Sequence, residues 1–415
     1  MQSRPERDKA FEETFLSLRK VSSRMAGKKG QTLDKKPLSV YVHVPFCKRK
    51  CLYCDFPSAP GTPEEIAFYF RILMQEIRSF EALDSLYTVS TVFFGGGTPS
   101  LVDPKYIRQV LDLLRAQYHF EEDPEISLEA NPGTLTQESL AAYRDMGISR
   151  LSIGLQSANE DELKILGRIH SFEDFQKSYE LAREAGFANI NIDLMSALPR
   201  QTMEKWQRTL QIAADLKPEH ISAYSLIIEE GTPFAETWGT GVGRVYLPGE
   251  DLDREMYHYT KEFLASRGYE RYEISNYALP GFESRHNMTY WTGGDYVGFG
   301  QSAASYLDGR RFQNPAEKTE YLEEAREAYG RFKSTRPLSL KSREEEYMFL
   351  GLRTHRGVSR EEFKLRFGES FPGTYEKKLL DYCMQGFMEK EDDRIRLTDK
   401  GIDVSNVIMA DFLQD

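Results

Sequence analysis

The sequence predicts an α/β fold, a partial (β/α)6 TIM-like barrel followed by a small winged-helix-like α+β domain. From residue 39 to about 229, runs rich in Val, Ile, Phe and Leu alternate six times with amphipathic stretches. Such alternation predicts right-handed βαβ units and a parallel sheet. Six units are fewer than a closed barrel needs, so we expect an open one with functional residues after the strand carboxyl ends. The expected domains are residues 1–36, 37–310 and 311–415.

The elements of the barrel follow in order along the chain. The strand-like runs are Val40–Val44, Thr91–Phe94, Glu125–Glu129, Arg150–Gln156, Asn189–Ala197 and His220–Ile228. The helix-like stretches between them are Pro63–Leu83, Pro104–Tyr118, Gln137–Met146, Phe172–Ala185 and Met203–Leu216. Short β-rich runs separated by longer periodic segments are typical of this class of fold.

Beyond residue 230 this alternation ends. We expect helices at Asp251–Arg267 and near Glu317–Phe332, separated by the glycine-rich segment Gly293–Ser302. After Pro337, three helices and a strand pair around Phe387–Leu397 predict the winged-helix-like domain. Acidic residues outnumber basic ones there, which argues against DNA binding and favours packing or docking of a partner.

Composition narrows the function. The net charge of −11 over 415 residues argues against a nucleic-acid-binding protein. No apolar run approaches the ~20 residues of a membrane span, and four cysteines without an export signal predict a cytoplasmic protein. Residues 1–36 form a basic extension, with ten Lys and Arg against five Asp and Glu. Phe11, Phe15 and Leu18 at helical spacing leave two alternatives, a peripheral membrane contact or a docked or frayed helix.

Three of the four cysteines, Cys47, Cys51 and Cys54, lie within eight residues in a C-x3-C-x2-C pattern that follows the first predicted strand. The fourth, Cys383, is far downstream. Three thiolates leave one position open on a [4Fe–4S] cluster, as catalysis at a metal requires. A zinc site completed by His43 ranks second, and a disulfide third.

Several candidate ligand-binding residues follow the next strands. The run Phe94-Gly-Gly-Gly-Thr-Pro99 follows the second strand, and its glycines could bring backbone N–H groups close to an anionic or zwitterionic ligand. Glu129, Gln156, Arg168 and Asp193 lie at or beyond later strand ends. For each of them the alternative is a helix cap or a surface ion pair.

Together, these motifs resemble the radical S-adenosylmethionine (SAM) superfamily. The resemblance rests on Tyr41-Val-His-Val-Pro-Phe-Cys, the cysteine spacing, Gly-Gly-Gly-Thr-Pro, Glu-Ala-Asn-Pro and Arg150-Leu-Ser-Ile-Gly-Leu-Gln-Ser157. More narrowly, the chain is similar to oxygen-independent coproporphyrinogen III dehydrogenases and to the related HemW-like heme chaperones, from about Leu38 onwards.

The resemblance implies the cofactors and the residues that bind them. The three cysteines would hold the [4Fe–4S] cluster, and SAM would bind its free iron. A one-electron donor such as flavodoxin or ferredoxin would reduce the cluster. By family pattern, Gly96, Gly97 and Thr98 would contact the methionine part of SAM, and Tyr53 would approach its adenine. The other positions that match SAM-binding residues are Tyr41, Glu129, Gln156, Arg168, Asp193 and Ile227.

Two functions compete within this branch, a heme chaperone that delivers heme to hemoproteins and the dehydrogenase. Phe56 stands where the dehydrogenase typically has a further cysteine, and Arg285-His-Asn-Met-Thr-Tyr-Trp291 matches a signature of HemW-like proteins. We therefore expect a chaperone. His286 is a candidate heme ligand, and the alternative is a satisfied buried network of His286, Asn287 and Trp291. Ser196 and Ala197 depart from the Tyr-Gly that relatives usually have.

Overall fold

The structure is a computed structural model that describes residues 35–413. Apart from its last two lysines, the predicted basic extension lies outside the described residues. So does the predicted helix with Phe11, Phe15 and Leu18.

The main feature of the fold is a sheet of eleven strands whose central six are parallel and follow chain order. These six are β1 (Lys36–Val44), β2 (Tyr87–Gly96), β3 (His119–Ala130), β4 (Arg150–Gln156), β5 (Ile190–Ser196) and β6 (His220–Ser225). The edge beyond β1 carries β9 (Tyr296–Phe299), β10 (Ala304–Leu307) and β11 (Arg310–Gln313). The edge beyond β6 carries β8 (Asn276–Ala278) and β7 (Glu270–Arg271). Because β1 and β6 pair with these strands and not with each other, the barrel is open, which confirms the predicted fold class.

Helices connect the parallel strands and cover the outer face of the sheet. They are α1 (Pro63–Ser79), α2 (Pro104–Gln117), α3 (Gln137–Asp145), α4 (Glu160–Ile165), α5 (Phe172–Glu184) and α6 (Met203–Asp215). Helix α1 begins at a capping box formed by Thr62 and Glu65, with Pro63 in its first turn. Its apolar side chains, such as Leu73 and Ile77, are buried in the core between helices and sheet.

The chain after the sixth parallel strand is less regular than the barrel. It contains α7 (Glu250–Ser266), α8 (Arg285–Trp291), α9 (Lys318–Glu324) and α10 (Ala328–Ser334). The strands β9 to β11 were not predicted from the glycine-rich segment. Gly298 explains why, since a Cβ there would lie 2.3 Å from the backbone oxygen of Ala304. Glycine is required by this close approach, although it is not a residue that signals a strand.

The C-terminal residues form a second hydrophobic cluster that includes Met348, Phe363 and Leu379. Its helices are α11 (Leu340–Gly351), α12 (Arg360–Phe367), α13 (Gly373–Met384), α14 (Asp399–Asp403) and α15 (Ser405–Asp411). Its antiparallel sheet has the order β12 (Val358–Ser359), β14 (Arg394–Leu397), β13 (Met388–Glu391). This arrangement confirms the predicted winged-helix-like α+β region. The boundary at residue 310 stays a prediction; α9 and α10 contribute Tyr321 and Phe332 to the barrel's own core.

Within residues 35–413, none of the helices has the length and apolar character needed to cross a bilayer.

Candidate functional site

The three clustered cysteines lie in the loop between β1 and α1, and all three are half-buried free thiols. The loop is fixed at both ends, because Cys47 donates its backbone N–H to Ala59 (3.1 Å) and Leu52 donates to Leu166 (3.2 Å). The Cys47 Sγ lies 3.5 Å from the Thr98 hydroxyl, and Arg168 donates to the Cys51 Sγ at 3.4 Å. The guanidinium places a positive charge beside the Cys51 sulfur.

The third thiol is affected mainly by burial. Burial raises the pKa of Cys54 to about 11, against a smaller lowering by a hydrogen bond to the backbone of Phe56. In the part of the chain that the structure describes, no three or more Cys, His, Asp or Glu side chains surround a point that one metal ion could occupy.

The glycine loop after β2 packs directly on the segment before Cys47. Gly97 donates its N–H to Val44 (2.9 Å) and Thr98 donates to Phe46 (2.8 Å), while Gly96 donates to the Glu129 carboxylate (3.0 Å). All three N–H groups are used within the protein. Their predicted contact with a ligand stays a prediction, and it would have to use other atoms of the loop or replace these hydrogen bonds. Glycine is needed here for packing, because a Cβ on Gly97 would lie 2.7 Å from the oxygen of Phe46.

Arg168 connects the cysteine loop to the ends of β3 and β4. In addition to Cys51, its guanidinium donates to the Asn131 side-chain oxygen (2.6 Å) and to the Gly154 carbonyl (2.9 Å). Asn131 in turn donates to the Thr98 hydroxyl at 2.7 Å. Gln156, at the end of β4, has a φ of 68° next to an irregularity in the β4–β5 register. Backbone strain of this kind is common at functional sites.

Glu129 and Asp193 are the carboxylates of the site. Asp193 accepts hydrogen bonds from Ser152 (2.9 Å) and Asn191 (2.8 Å), so both of its oxygens are engaged. Among residues 35–413, Glu129 accepts a hydrogen bond only from the Gly96 N–H. Burial, followed by the charge of Asp193, raises the pKa of Glu129 to about 7. A cationic ligand group beside Glu129 would favour its charged form.

Most of the predicted site residues lie around one cleft of about 750 Å³. Those that line it are Cys47, Cys51, Cys54, Tyr53, Gly96, Gly97, Thr98, Glu129, Gln156, Arg168 and Asp193. Tyr53 also packs edge-on against Phe234, with ring centroids 6.5 Å apart. We call this cleft the cysteine cavity.

A second cavity, of about 840 Å³, lies inside the barrel, and we call it the inner cavity. Tyr41 and His286 line it together with Phe93, Arg150, Asn191, Ser222, Tyr224, Asn287 and Tyr290. Phe56, Gly96, Glu129, Ser152 and Asp193 line both cavities. The two cavities are therefore neighbours that share a wall. Ile227 lines neither, and its side chain is 72% exposed after β6.

His286 is 1% exposed and both of its ring nitrogens are engaged. Nδ1 lies 2.7 Å from the Thr91 hydroxyl, and Nε2 lies 2.7 Å from the Tyr290 hydroxyl. Burial lowers the pKa of His286 to about 3, helped by the charge of Arg150. These contacts favour the buried-network alternative. The partners of His286 differ from those proposed, since Trp291 leaves its indole N–H unpaired under Arg353.

Two important residues were not singled out from the sequence. Asn131 stands two positions after Glu129, and Ser152 stands two positions after Arg150. Because strand side chains alternate between faces, this spacing places each pair on one face of the sheet. That alternation was the available signal.

Comparison with known proteins agrees with this geometry. Residues 41–213 match the model of the radical SAM superfamily, and residues 338–404 match that of the HemN C-terminal domain. Among solved structures, coproporphyrinogen III oxidase (HemN) from Escherichia coli superposes with a TM-score of 0.78. It is 25% identical, with coverage of 91% of this chain and 90% of HemN.

Two relatives found by sequence comparison are more similar to this chain than HemN is. The heme chaperone HemW of Lactococcus lactis is 39% identical over 92% of this chain and 98% of its own length. HemW of Bacillus subtilis is 35% identical, with 90% and 99% coverage. Identity of this extent, together with the two matched domain models, identifies the family. The chain belongs to the radical SAM superfamily and, within it, to the HemW family.

Proposed function

We propose that the protein is a heme chaperone that carries a [4Fe–4S] cluster and exchangeable SAM, and that it delivers heme to hemoproteins. One observation carries the proposal. Three thiols and most of the predicted SAM-binding residues share a cavity beside a second, larger one, in a chain that aligns with heme chaperones over almost its whole length.

The residues of the cysteine loop suit a cluster with three protein ligands. Cys47, Cys51 and Cys54 would hold it, because all three thiols line the cysteine cavity. A cubane, unlike a single ion, does not need its thiolates to converge on one point. Arg168 would partly offset the negative charge through Cys51. When bound, the cluster supplies one-electron chemistry to a ligand at its open iron.

The same cavity suits SAM. Glu129 has one carboxylate oxygen without a protein donor, which can accept a hydrogen bond from a ligand ammonium or hydroxyl group. Tyr53 lines the cavity and is backed by the buried Phe234, so it offers an aromatic ring for an adenine. Asp193, Gln156 and Arg168 complete the polar wall. For Ile227 the predicted contact would require the exposed loop after β6 to fold over the ligand.

The inner cavity is the proposed place for heme. Tyr41 and Phe93 stack along one wall, with ring centroids 6.3 Å apart. Phe56 is 57% exposed at the shared wall. Aromatic surfaces of this kind suit a flat macrocycle.

An electron donor such as flavodoxin or ferredoxin is also proposed. Lys48, Arg49 and Lys50 are exposed beside the ligand cysteines, and they give the cluster loop a basic surface. Such a surface attracts a donor with an acidic face. We further propose a cytoplasmic location, in which the extension of residues 1–36 could make a peripheral membrane contact.

A coproporphyrinogen III dehydrogenase is the second candidate, because HemN shares the fold over 91% of this chain. Anaerobically reconstituted protein should be incubated with coproporphyrinogen III, SAM and reductant, and separately with heme followed by an apo-hemoprotein. We expect a Soret band that moves to the acceptor and no decarboxylated porphyrinogen. Decarboxylated product would overturn the chaperone proposal in favour of the dehydrogenase.

A further inference from the structure

The inner cavity contains a charge that has no ion-pair partner among residues 35–413, although it acts against the burial that raises the pKa of Glu129 in the shared wall. Arg150, the first residue of β4, lines this cavity and is 2% exposed. Within residues 35–413 its guanidinium makes no ion pair and no side-chain hydrogen bond, and its Nε is buried without a partner. The guanidinium group is a permanent cation in proteins.

Four other arginines that are at least half withdrawn from solvent do have partners. Arg168 donates to Asn131, and Arg183 pairs with Glu219 at 2.9 Å. Arg271 and Arg353 pair with Asp399 and Glu273. Arg150 is the exception among these, and it is the one that faces the inner cavity. A buried charge without a partner is strongly unfavourable unless something else supplies the counter-charge.

The nearest acceptors in the cavity wall are already in use. Asp193 is held by Ser152 and Asn191. The Asn191 oxygen accepts from His220 (2.6 Å) and Ser222 (3.1 Å). Glu129 shares the wall but lies beyond ion-pair distance of Arg150. The counter-charge must therefore come from a ligand.

We propose that Arg150 anchors a carboxylate of the ligand that occupies the inner cavity. A carboxylate matches the planar fork of the guanidinium, which can donate two parallel hydrogen bonds to it. This deepens the proposed function and rests on it, since the carboxylate has two possible sources there. One is a propionate of the tetrapyrrole, and the other is the amino-acid carboxylate of a SAM molecule.

The experiment compares Arg150→Gln and Arg150→Lys with the parent, as full-length protein carrying a reconstituted cluster. Four probes are titrated: heme, heme dimethyl ester, SAM and decarboxylated SAM. We expect Arg150→Gln to weaken one carboxylate-bearing probe about ten- to a hundredfold. The affinity for the matching probe without that carboxylate should fall only slightly. The affinity of Arg150→Lys for the carboxylate-bearing probe should lie between those of the parent and Arg150→Gln. If heme and its dimethyl ester show this difference, the carboxylate is a propionate; if SAM and decarboxylated SAM show it, the carboxylate is that of SAM.

Stability gives an independent test. Because the charge has no protein partner, Arg150→Gln without ligand should be at least as stable to denaturant as the parent. A clearly less stable variant would reveal a protein partner and would overturn the inference, as would equal losses for each probe and its analogue. A parent that binds SAM but no heme would overturn the chaperone proposal, while the SAM pair would still test Arg150. A parent that binds neither would overturn the inference as well.

Discussion

Two buried glutamates, Glu76 on α1 and Glu129 on β3, have the same raised pKa but different surroundings. Burial raises the pKa of each to about 7. Glu76 accepts from the Tyr321 hydroxyl (2.7 Å), the Gly300 N–H (2.9 Å) and the Asn314 amide (2.6 Å). Glu129 accepts only from Gly96 and faces two cavities.

The difference shows that burial and a shifted pKa alone do not identify a binding site in this protein. Our proposal of a binding site rests instead on hydrogen-bond capacity that is left unused and faces a cavity. Glu76 uses its capacity to join α1 to the segment around Gly300, so it is structural. Glu129 and Arg150 keep capacity for a ligand. By the same criterion His286, with both nitrogens engaged, belongs with Glu76.

The cysteines give the largest expected effect. Cys51 lines the cysteine cavity, whereas Cys383 packs on the C-terminal cluster. Cys51→Ala should remove most of the iron and acid-labile sulfide from anaerobically reconstituted protein, because a cluster held by two thiolates is poorly retained. The matched control Cys383→Ala should retain both. Equal iron and sulfide in the two variants would contradict the assignment of Cys51 to an open site.

The glutamates themselves come next. Glu76→Gln places an NH2 group where acceptors are needed, so at least one buried donor loses its partner. We expect a loss of about 1–3 kcal/mol in the free energy of unfolding. Glu129→Gln should change it by less than about 1 kcal/mol, since one carboxylate oxygen has no protein donor. Denaturant midpoints of the ligand-free proteins measure both. If Glu129→Gln were the more damaging change, the contrast between the two regions would be wrong.

The pH dependence sharpens the same contrast. A carboxyl whose pKa is raised in the folded state binds its proton more tightly there than in the unfolded chain. Its contribution to stability is therefore present at low pH and is lost as pH rises from about 4.5 to about 7. Relative to the parent, Glu129→Gln should lose less stability over this interval in thermal unfolding.

Adding SAM should affect the titration of the two glutamates differently. A ligand cation beside Glu129 would lower its pKa and reduce the fall in stability of the parent, while the titration of Glu76 would not change. The stability of the parent and of Glu129→Gln could instead depend on pH in the same way, both with and without SAM. That result would show that Glu129 does not titrate as described.

The sequence predicted the barrel well because its signals are local. All six parallel strands lie where hydrophobic periodicity placed them, and β4 matches to the residue. The five predicted helices are also present, whereas the short helix α4 was not predicted. β9 to β11 were missed because their pairing depends on distant partners, for example Val40 with Val297. Pairing between residues so far apart in the chain produces no pattern in the local sequence.

The sequence predicted which residues lie at the candidate site better than it predicted the hydrogen bonds that they make. The motif residues converge on one cavity, as strand-end geometry predicts. Which hydrogen bonds they make could not be read from the sequence. The N–H groups of the glycine loop and the nitrogens of His286 are occupied by partners far along the chain, such as Val44 and Thr91. Whether a polar group already has all of its hydrogen-bond partners depends on the tertiary structure.

The smallest expected effect concerns His286 and heme. Axial binding through Nε2 would require the hydrogen bond to Tyr290 to break, and through Nδ1 the hydrogen bond to Thr91. We therefore expect His286→Ala to lower the unfolding free energy by about 1–3 kcal/mol and to leave the Soret maximum and the heme affinity nearly unchanged. Tyr290→Phe is the matched control, because it removes the same hydrogen bond and keeps the imidazole. A Soret shift in His286→Ala that is absent from Tyr290→Phe would place the imidazole on the iron. His286 would then belong with Glu129 among the ligand-binding residues, and hydrogen-bond saturation would fail as the criterion that separates the two regions.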